Sequence, residues 1–186
     1  MSSKRDQILL ATRDLIFEQG LQDLSMAQIA QRAGVGMGTI YNYFASKEEL
    51  VFCAYSEIKA AMSAYVLEDY DESQPVVVRF MHLLGSVAAY GVQHPREFRL
   101  TELLAKIPFI QEQAETQEYA LVSALNRLFV EAQKQRLLKD MPAAVVALLI
   151  SGALNALIEA HATGEIHLDD ALIEQMVTAC WDAIKR

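Results

Sequence analysis

The sequence predicts an all-α protein of about nine helices. Three observations carry that prediction. Apolar residues recur with helical period in nearly every segment, two Ser-x-x-Gln/Glu capping boxes (Ser25 with Gln28, Ser46 with Glu49) precede apolar runs, and no Asn-Gly hairpin turn occurs. With 186 residues, 53% of them hydrophobic and 22% charged, the chain is long enough to bury a core without disulfide staples.

In the first helix Ile8, Ala11, Leu15 and Ile16 share a face, with Phe17 beside it, and Gly20 stands where a left-handed C-terminal cap belongs. A short second helix follows Ser25, buries Ile29, Ala30 and Ala33, and ends at Gly34. After the tight turn Gly34-Val35-Gly36 comes a very short third helix, Met37 to Phe44. Ser46 opens a long fourth helix carrying Leu50, Ala54, Ile58, Ala61, Met62 and Tyr65.

The acidic stretch Glu68 to Glu72, with Ser73-Gln74-Pro75, reads as a loop, and Pro75 suits the first turn of the next helix. Val76 to Val78 are β-branched, but Phe80, Met81, Leu84 and Val87 continue at helical spacing, so helix is predicted as far as His94. Pro95 and Pro108 bracket another helix, and Gln117 to Arg136 forms another, with Val122, Leu125, Phe129 and Ala132 on one face. An uncharged helix runs from Pro142 to Thr163-Gly164, and a last one from Asp169 carries Leu172, Ile173, Met176, Val177, Cys180, Trp181 and Ile184.

The uncharged segment approaches the roughly 20 apolar residues that span a bilayer. Pro142, Ser151, Gly152 and Asn155 argue instead for burial in a core and a subunit interface, so no membrane partner is expected. Cys53 and Cys180 form no CxxC pair and are expected as reduced thiols in a cytoplasm. Four histidines without i,i+4 pairing offer no metal site, and no Walker sequence, nucleophile elbow or carboxylate pair supports an enzyme; no cofactor is expected.

Two short capped helices joined by a glycine turn suggest a helix-turn-helix, with Ser25 to Ala33 supporting and Met37 to Phe44 reading DNA. The stretch LSMAQIAQRAGVGMGTIYNYFASKEEL, Leu24 to Leu50, closely resembles the N-terminal signature of the TetR family of bacterial transcription regulators. The matching positions are Ser25, Ile29, Ala30, Ala33, Gly34, Val35, Gly38, Tyr41, Tyr43, Phe44, Ser46, Lys47 and Leu50. Gly36 departs from a frequent serine in the family, and Met37 from a basic or small polar residue.

Candidate DNA-binding residues are Ser25, Gly36, Met37, Gly38, Thr39, Tyr41, Asn42, Tyr43 and Lys47. Gly38 lets backbone approach DNA, hydroxyls and phenols donate to phosphate, and Thr39 or Asn42 suits base edges in the major groove. Lys47, in the first turn of a helix whose dipole it opposes, is explained by a phosphate partner. Phe44 is assigned to the core.

The resemblance implies a helix-turn-helix domain over 1–47 and a helical ligand-binding and dimerisation domain over 48–186. It further implies a homodimer on double-stranded, pseudo-palindromic operator DNA, released by a small-molecule effector. Aromatics and methionines suggest a mainly apolar effector, and residues of mixed polarity on the middle helices give candidate contacts at Tyr65, Phe80, His82, Tyr90, Phe98, Glu102, Tyr119, Asn126, Phe129 and Asn155. The last two helices have more apolar face than one subunit needs to bury, giving Gly152, Ala153, Ala156, Met176, Cys180 and Trp181 as candidate dimer contacts. The alternative reading is a small-molecule-binding or interaction module with a vestigial head.

The charge of −8 at first argues against nucleic acid. Residues 1–47, however, hold five basic against four acidic side chains, while the rest holds eleven against twenty. The acidity therefore lies outside the head, whose own slight basicity predicts modest affinity with steep salt sensitivity.

Overall fold

The computed structural model describes residues 3–117 and 119–186. Among them are ten helices: α1 Lys4–Gln19, α2 Met26–Ala33, α3 Met37–Tyr41, α4 Lys47–Val66, α5 Val76–Gln93, α6 Pro95–Leu104, α7 Pro108–Glu115, α8 Ala120–Lys134, α9 Ala143–Ala162 and α10 Asp170–Ile184. No strand occurs among the described residues; one isolated bridge joins Leu138 to Lys185. The additional helix is α7, which Pro108 opens at a first-turn position where its missing N–H costs nothing.

The caps explain several boundaries. Ser3 and Asp6 form a reciprocal capping box at α1, as Ser25 and Gln28 do at α2. At α4 the Ser46 hydroxyl accepts from the Glu49 amide, but the Glu49 carboxylate reaches one residue further back, to the amide of Ala45. Gly34 is a left-handed cap at φ 66°, ψ 33°. Gly20 is not: at φ 83°, ψ 169° it occupies a region open essentially to glycine alone, turning the chain out of α1 in another direction. The third helix closes at Tyr41, although the Phe44 amide still bonds to the Ile40 carbonyl at 2.9 Å.

The chain packs as two compact units, Met1–Lys59 with Arg99–Gln117, and Ala60–Phe98 with Glu118–Arg186. In the first, Ile8, Ile29, Ile40, Phe44 and Leu50 form a closed centre, and Phe17 turns outward. Thr12, also buried, satisfies its hydroxyl by donating to the Ile8 carbonyl one turn back.

In the second unit, apolar faces of α5, α8, α9 and α10 build one core in which Phe80 meets Trp181, ring centroids 5.0 Å apart. The buried Arg79 guanidinium binds Glu131 and the Glu72 carbonyl, fastening the acidic loop to α5 and α8. Among the described residues two helices, α5 and α9, are long and apolar enough to cross a bilayer by length and composition, where the sequence points to α9 only.

Candidate nucleic-acid interface

The head is built upward from α2. Ser25 uses its oxygen twice, accepting from the Gln28 amide at 3.3 Å and donating to Gln28 Oε1 at 2.7 Å. At the other end, the left-handed Gly34 lets the Val35 amide reach back to the Ala30 carbonyl at 3.0 Å. This reversal aims the chain into α3.

Gly36 begins α3 with no side-chain cap, at φ −75°, which any residue adopts. A Cβ on Gly36 or Gly38 would meet open space, so both glycines leave the start of α3 bare toward solvent. Ile40, with no exposure, and Phe44 anchor the helix. Around them Met37, Tyr41, Asn42 and Tyr43 are exposed, Tyr41 by 53%, while Thr39 is half-buried. The nine DNA-contact candidates thus fall on the start of α2, on α3 with its flanks, and on the first turn of α4.

The cations of the head are mostly engaged within the chain. Arg32 forks onto Glu18 with bonds of 3.0 and 2.6 Å, and Arg5 and Arg13 share Glu57. The Lys47 ammonium donates to the Leu21 carbonyl at 3.1 Å, a partner 26 residues away that the sequence reading did not foresee. Two of its three N–H donors remain for phosphate.

The effector candidates do not converge on one place. Tyr65 and Tyr90 meet edge-on at 5.5 Å beside His94, and the Tyr65 hydroxyl accepts from Gln93 at 2.8 Å; Phe98 is buried one helix further on. Phe80 belongs to the Trp181 contact, and His82 bonds to the Val66 carbonyl at 3.1 Å. Asn126 is exposed, Phe129 and Asn155 are half-buried, and Tyr119 is buried at the start of α8. Glu102 lies in the first unit.

A cavity of 540 Å³ in the second unit is lined instead by Leu67, Tyr70, Glu72, Ala120, Ser123, Ala124 and Arg127. None of these was singled out from sequence, because it forms where the acidic loop returns to α8. Arg127 closes part of it by donating twice to Glu72 Oε1, at 3.2 and 2.7 Å.

Along α9 and α10 runs an apolar groove of 570 Å³ that includes Ala153, Met176 and Cys180 with Leu149, Leu157 and Leu172. Gly152 and Ala156 are exposed on α9. Trp181 is buried inward against Phe80.

Comparison with known proteins agrees with this architecture. The pattern for bacterial regulatory proteins of the tetR family matches residues 8–53, and that for the tetracyclin repressor-like C-terminal domain matches 55–186. A helix-turn-helix-type transcriptional regulator of Haemophilus influenzae is 25% identical over 183 residues, 97% of this chain and 95% of its own. The regulator BetI of Klebsiella pneumoniae is 41% identical over 64 residues, covering 34% of this chain and 33% of its own.

Among solved structures, a TetR family regulator from Vibrio parahaemolyticus superposes with a TM-score of 0.81 at 29% identity, covering 99% of both chains. Another from a Shewanella species reaches 0.87 at 19% identity, covering 100% of both, a likeness of fold. With the helix-turn-helix and the helices beyond it both matched, this chain belongs to the TetR family of bacterial regulatory proteins.

Proposed function

We propose that this protein is a ligand-responsive transcriptional repressor that binds a pseudo-palindromic operator as a homodimer and leaves it when a small, mainly apolar effector binds. The observation that carries the reading is the row of exposed Tyr41, Asn42 and Tyr43 with half-buried Thr39, on α3 and just past its end, pinned from behind by Ile40 and Phe44. Hydroxyls there donate to phosphate, and Thr39 and Asn42 read base edges. Gly36, Met37 and Gly38 let the start of α3 approach the duplex, while Ser25 and Lys47 flank it.

The second copy packs on α9 and α10. On α9, Val145, Leu148 and Leu149 are 42%, 72% and 52% exposed, an apolar face that water tolerates poorly and a matching face covers well. Gly152, Ala153 and Ala156 permit close approach there, with Met176 and Cys180 beside them, whereas Trp181 supports the interface from within the core. A two-fold axis then sets two recognition helices about one DNA turn apart.

With α9 covered in this way and α5 packed into the core it shares with α8, α9 and α10, neither helix needs a bilayer, and the protein acts in the cytoplasm as a regulator with no catalytic role. Effector contacts are sought first at Tyr65 and Tyr90, the candidates that meet in space, and release follows from a shift of α4 that binding favours. The domain boundary that matters for DNA is residue 47, where α4 begins.

Selection of a palindrome from random duplexes, followed by affinity measurement at one fixed salt, tests the reading. Tyr41→Ala weakens binding to every sequence, whereas Thr39→Ala and Asn42→Ala change which bases are preferred, by about 1–3 kcal/mol per contact. Unchanged binding in all three removes the assigned surface. The vestigial-head reading draws on the uncapped Gly36 and on the internally engaged cations; absence of any salt-dependent complex with adjacent promoter DNA favours it.

A further inference from the structure

Glu57 lies on α4 and receives two guanidinium groups from α1. Arg5 Nη1 reaches Oε1 at 2.5 Å, and Arg13 Nη2 reaches Oε2 at 2.7 Å. Each carboxylate oxygen thus holds a residue two turns from the other on the same helix, which fixes direction as well as distance. Arg13 keeps this position although its Nε is buried without a partner, a loss that the bond to Glu57 helps to offset.

Arg5 has a further neighbour. Its guanidinium carbon stands 5.8 Å from the centre of the Phe44 ring, within cation–π reach. Phe44 is the buried residue whose amide closes on Ile40 behind the recognition helix. A path of direct contacts therefore leads from α4 through Glu57, Arg5 and Phe44 to α3, using none of the residues assigned to the DNA surface.

We propose that Glu57 is a positioning residue for DNA recognition, locking α1 to α4 so that the orientation of the recognition helix follows that of α4. The inference rests on the repressor reading above, because α4 begins in one unit and ends in the other. A helix that carries a signal changes DNA binding only if the head is fixed to it.

The test uses the full chain with Glu57→Gln, which keeps shape and removes charge, and Glu57→Asp, which keeps charge and shortens the arm. Affinity for the selected palindrome and for an unrelated duplex is measured beside the thermal midpoint. Cys53 supplies a second readout: it is half-buried on α4, burial pushes its thiol pKa up, Arg5 draws it down and Glu57 raises it. Its alkylation by iodoacetamide, read by mass spectrometry on the peptide that carries Cys53 so that Cys180 stays unchanged, reports whether the lock is closed.

The expected result is about tenfold weaker binding of the palindrome in Glu57→Gln, with the unrelated duplex unchanged and Glu57→Asp between the two. Palindrome DNA slows Cys53 labelling in the parent and not in Glu57→Gln, whose thiol also reacts faster without DNA. Three outcomes overturn the inference alone while the parent binds: equal palindrome affinity, an equal loss on both duplexes with a fallen midpoint, or tighter binding to both. The last would mean that Glu57 only masks two arginines from phosphate. A parent chain that binds no palindrome removes the repressor reading and this inference with it.

Discussion

The helix-turn-helix head and the C-terminal helix pair present opposite kinds of surface. Across the head and the α4 that follows it, capping boxes at Ser3 and Ser25 and ion pairs at Glu18 and Glu57 bind polar groups to one another around a small apolar centre. What remains outward is a short row of hydroxyl, phenol and amide groups. On α9 the outward residues Val145, Leu148 and Leu149 are apolar. On the proposed reading a phosphate-bearing duplex covers the first surface and a second copy of the chain the second. The difference teaches that two partners are anticipated in one chain, with the excess negative charge kept outside residues 1–47.

Removing the apolar partner is the strongest way to break this comparison. Leu148→Asp with Leu149→Asp places two charges on the exposed face of α9 and leaves the intramolecular core untouched. The expected outcome by light scattering is a monomer with unchanged helical circular dichroism. Operator affinity falls by about a hundredfold or more, since each head then binds alone. A persistent dimer with full affinity would place the interface elsewhere.

Next in size is the polar scaffold of the head. Ser25→Ala removes the two bonds its hydroxyl makes with Gln28 and leaves only the Ser25 amide donating to Gln28 Oε1, and about 1 kcal/mol of stability goes with them, read as a fall of ~3 °C in the thermal midpoint. Gly36→Ser asks the converse question. It supplies α3 with a capping hydroxyl at a backbone angle that suits serine and in open space, so a gain of a few tenths of a kcal/mol is expected. A fall in stability there would mean that the bare start of α3 is required for the fold itself.

Much of this was legible in the sequence because it is local. Ser25 with Gln28, Gly34, Pro75 and the apolar spacing from Val76 to Val87 each act within a few residues of themselves, and the structure places α2 and α5 accordingly. α7 was missed because it buries only Ile110 and has no side-chain cap, so neither periodicity nor a capping residue marks it. Lys47 is legible from the helix dipole and from the family signature, while its partner Leu21 is brought close only by the fold. The same holds for Glu57, 52 and 44 residues from the arginines it binds. With Arg5, Arg13, Arg32 and Lys47 all engaged within the chain, Arg5 and Arg13 by Glu57 beyond residue 47, the salt dependence expected of DNA binding is shallower than five free cations would give.

The smallest expected effect concerns Lys59, the last residue of the first unit's α4 segment. Burial lowers its pKa, and the negative charge of Glu102 offsets part of that shift. Because the folded state holds this proton less firmly than the unfolded chain does, stability rises with pH between the lowered folded value and the ordinary lysine value of 10.5. Lys59→Met keeps the length of the arm and discards the charge, so it is expected to stabilise the protein at neutral pH by about 0.5 kcal/mol, a rise of roughly 1–2 °C. Its advantage over the parent shrinks as pH climbs and the parent's amine deprotonates. Thermal melts of both proteins from pH 7 to 10 measure that convergence. A constant gap would show that Met packs better for reasons unrelated to charge, and a lower midpoint throughout would mean that the Lys59 ammonium stabilises the fold as the ion pairs of the head do.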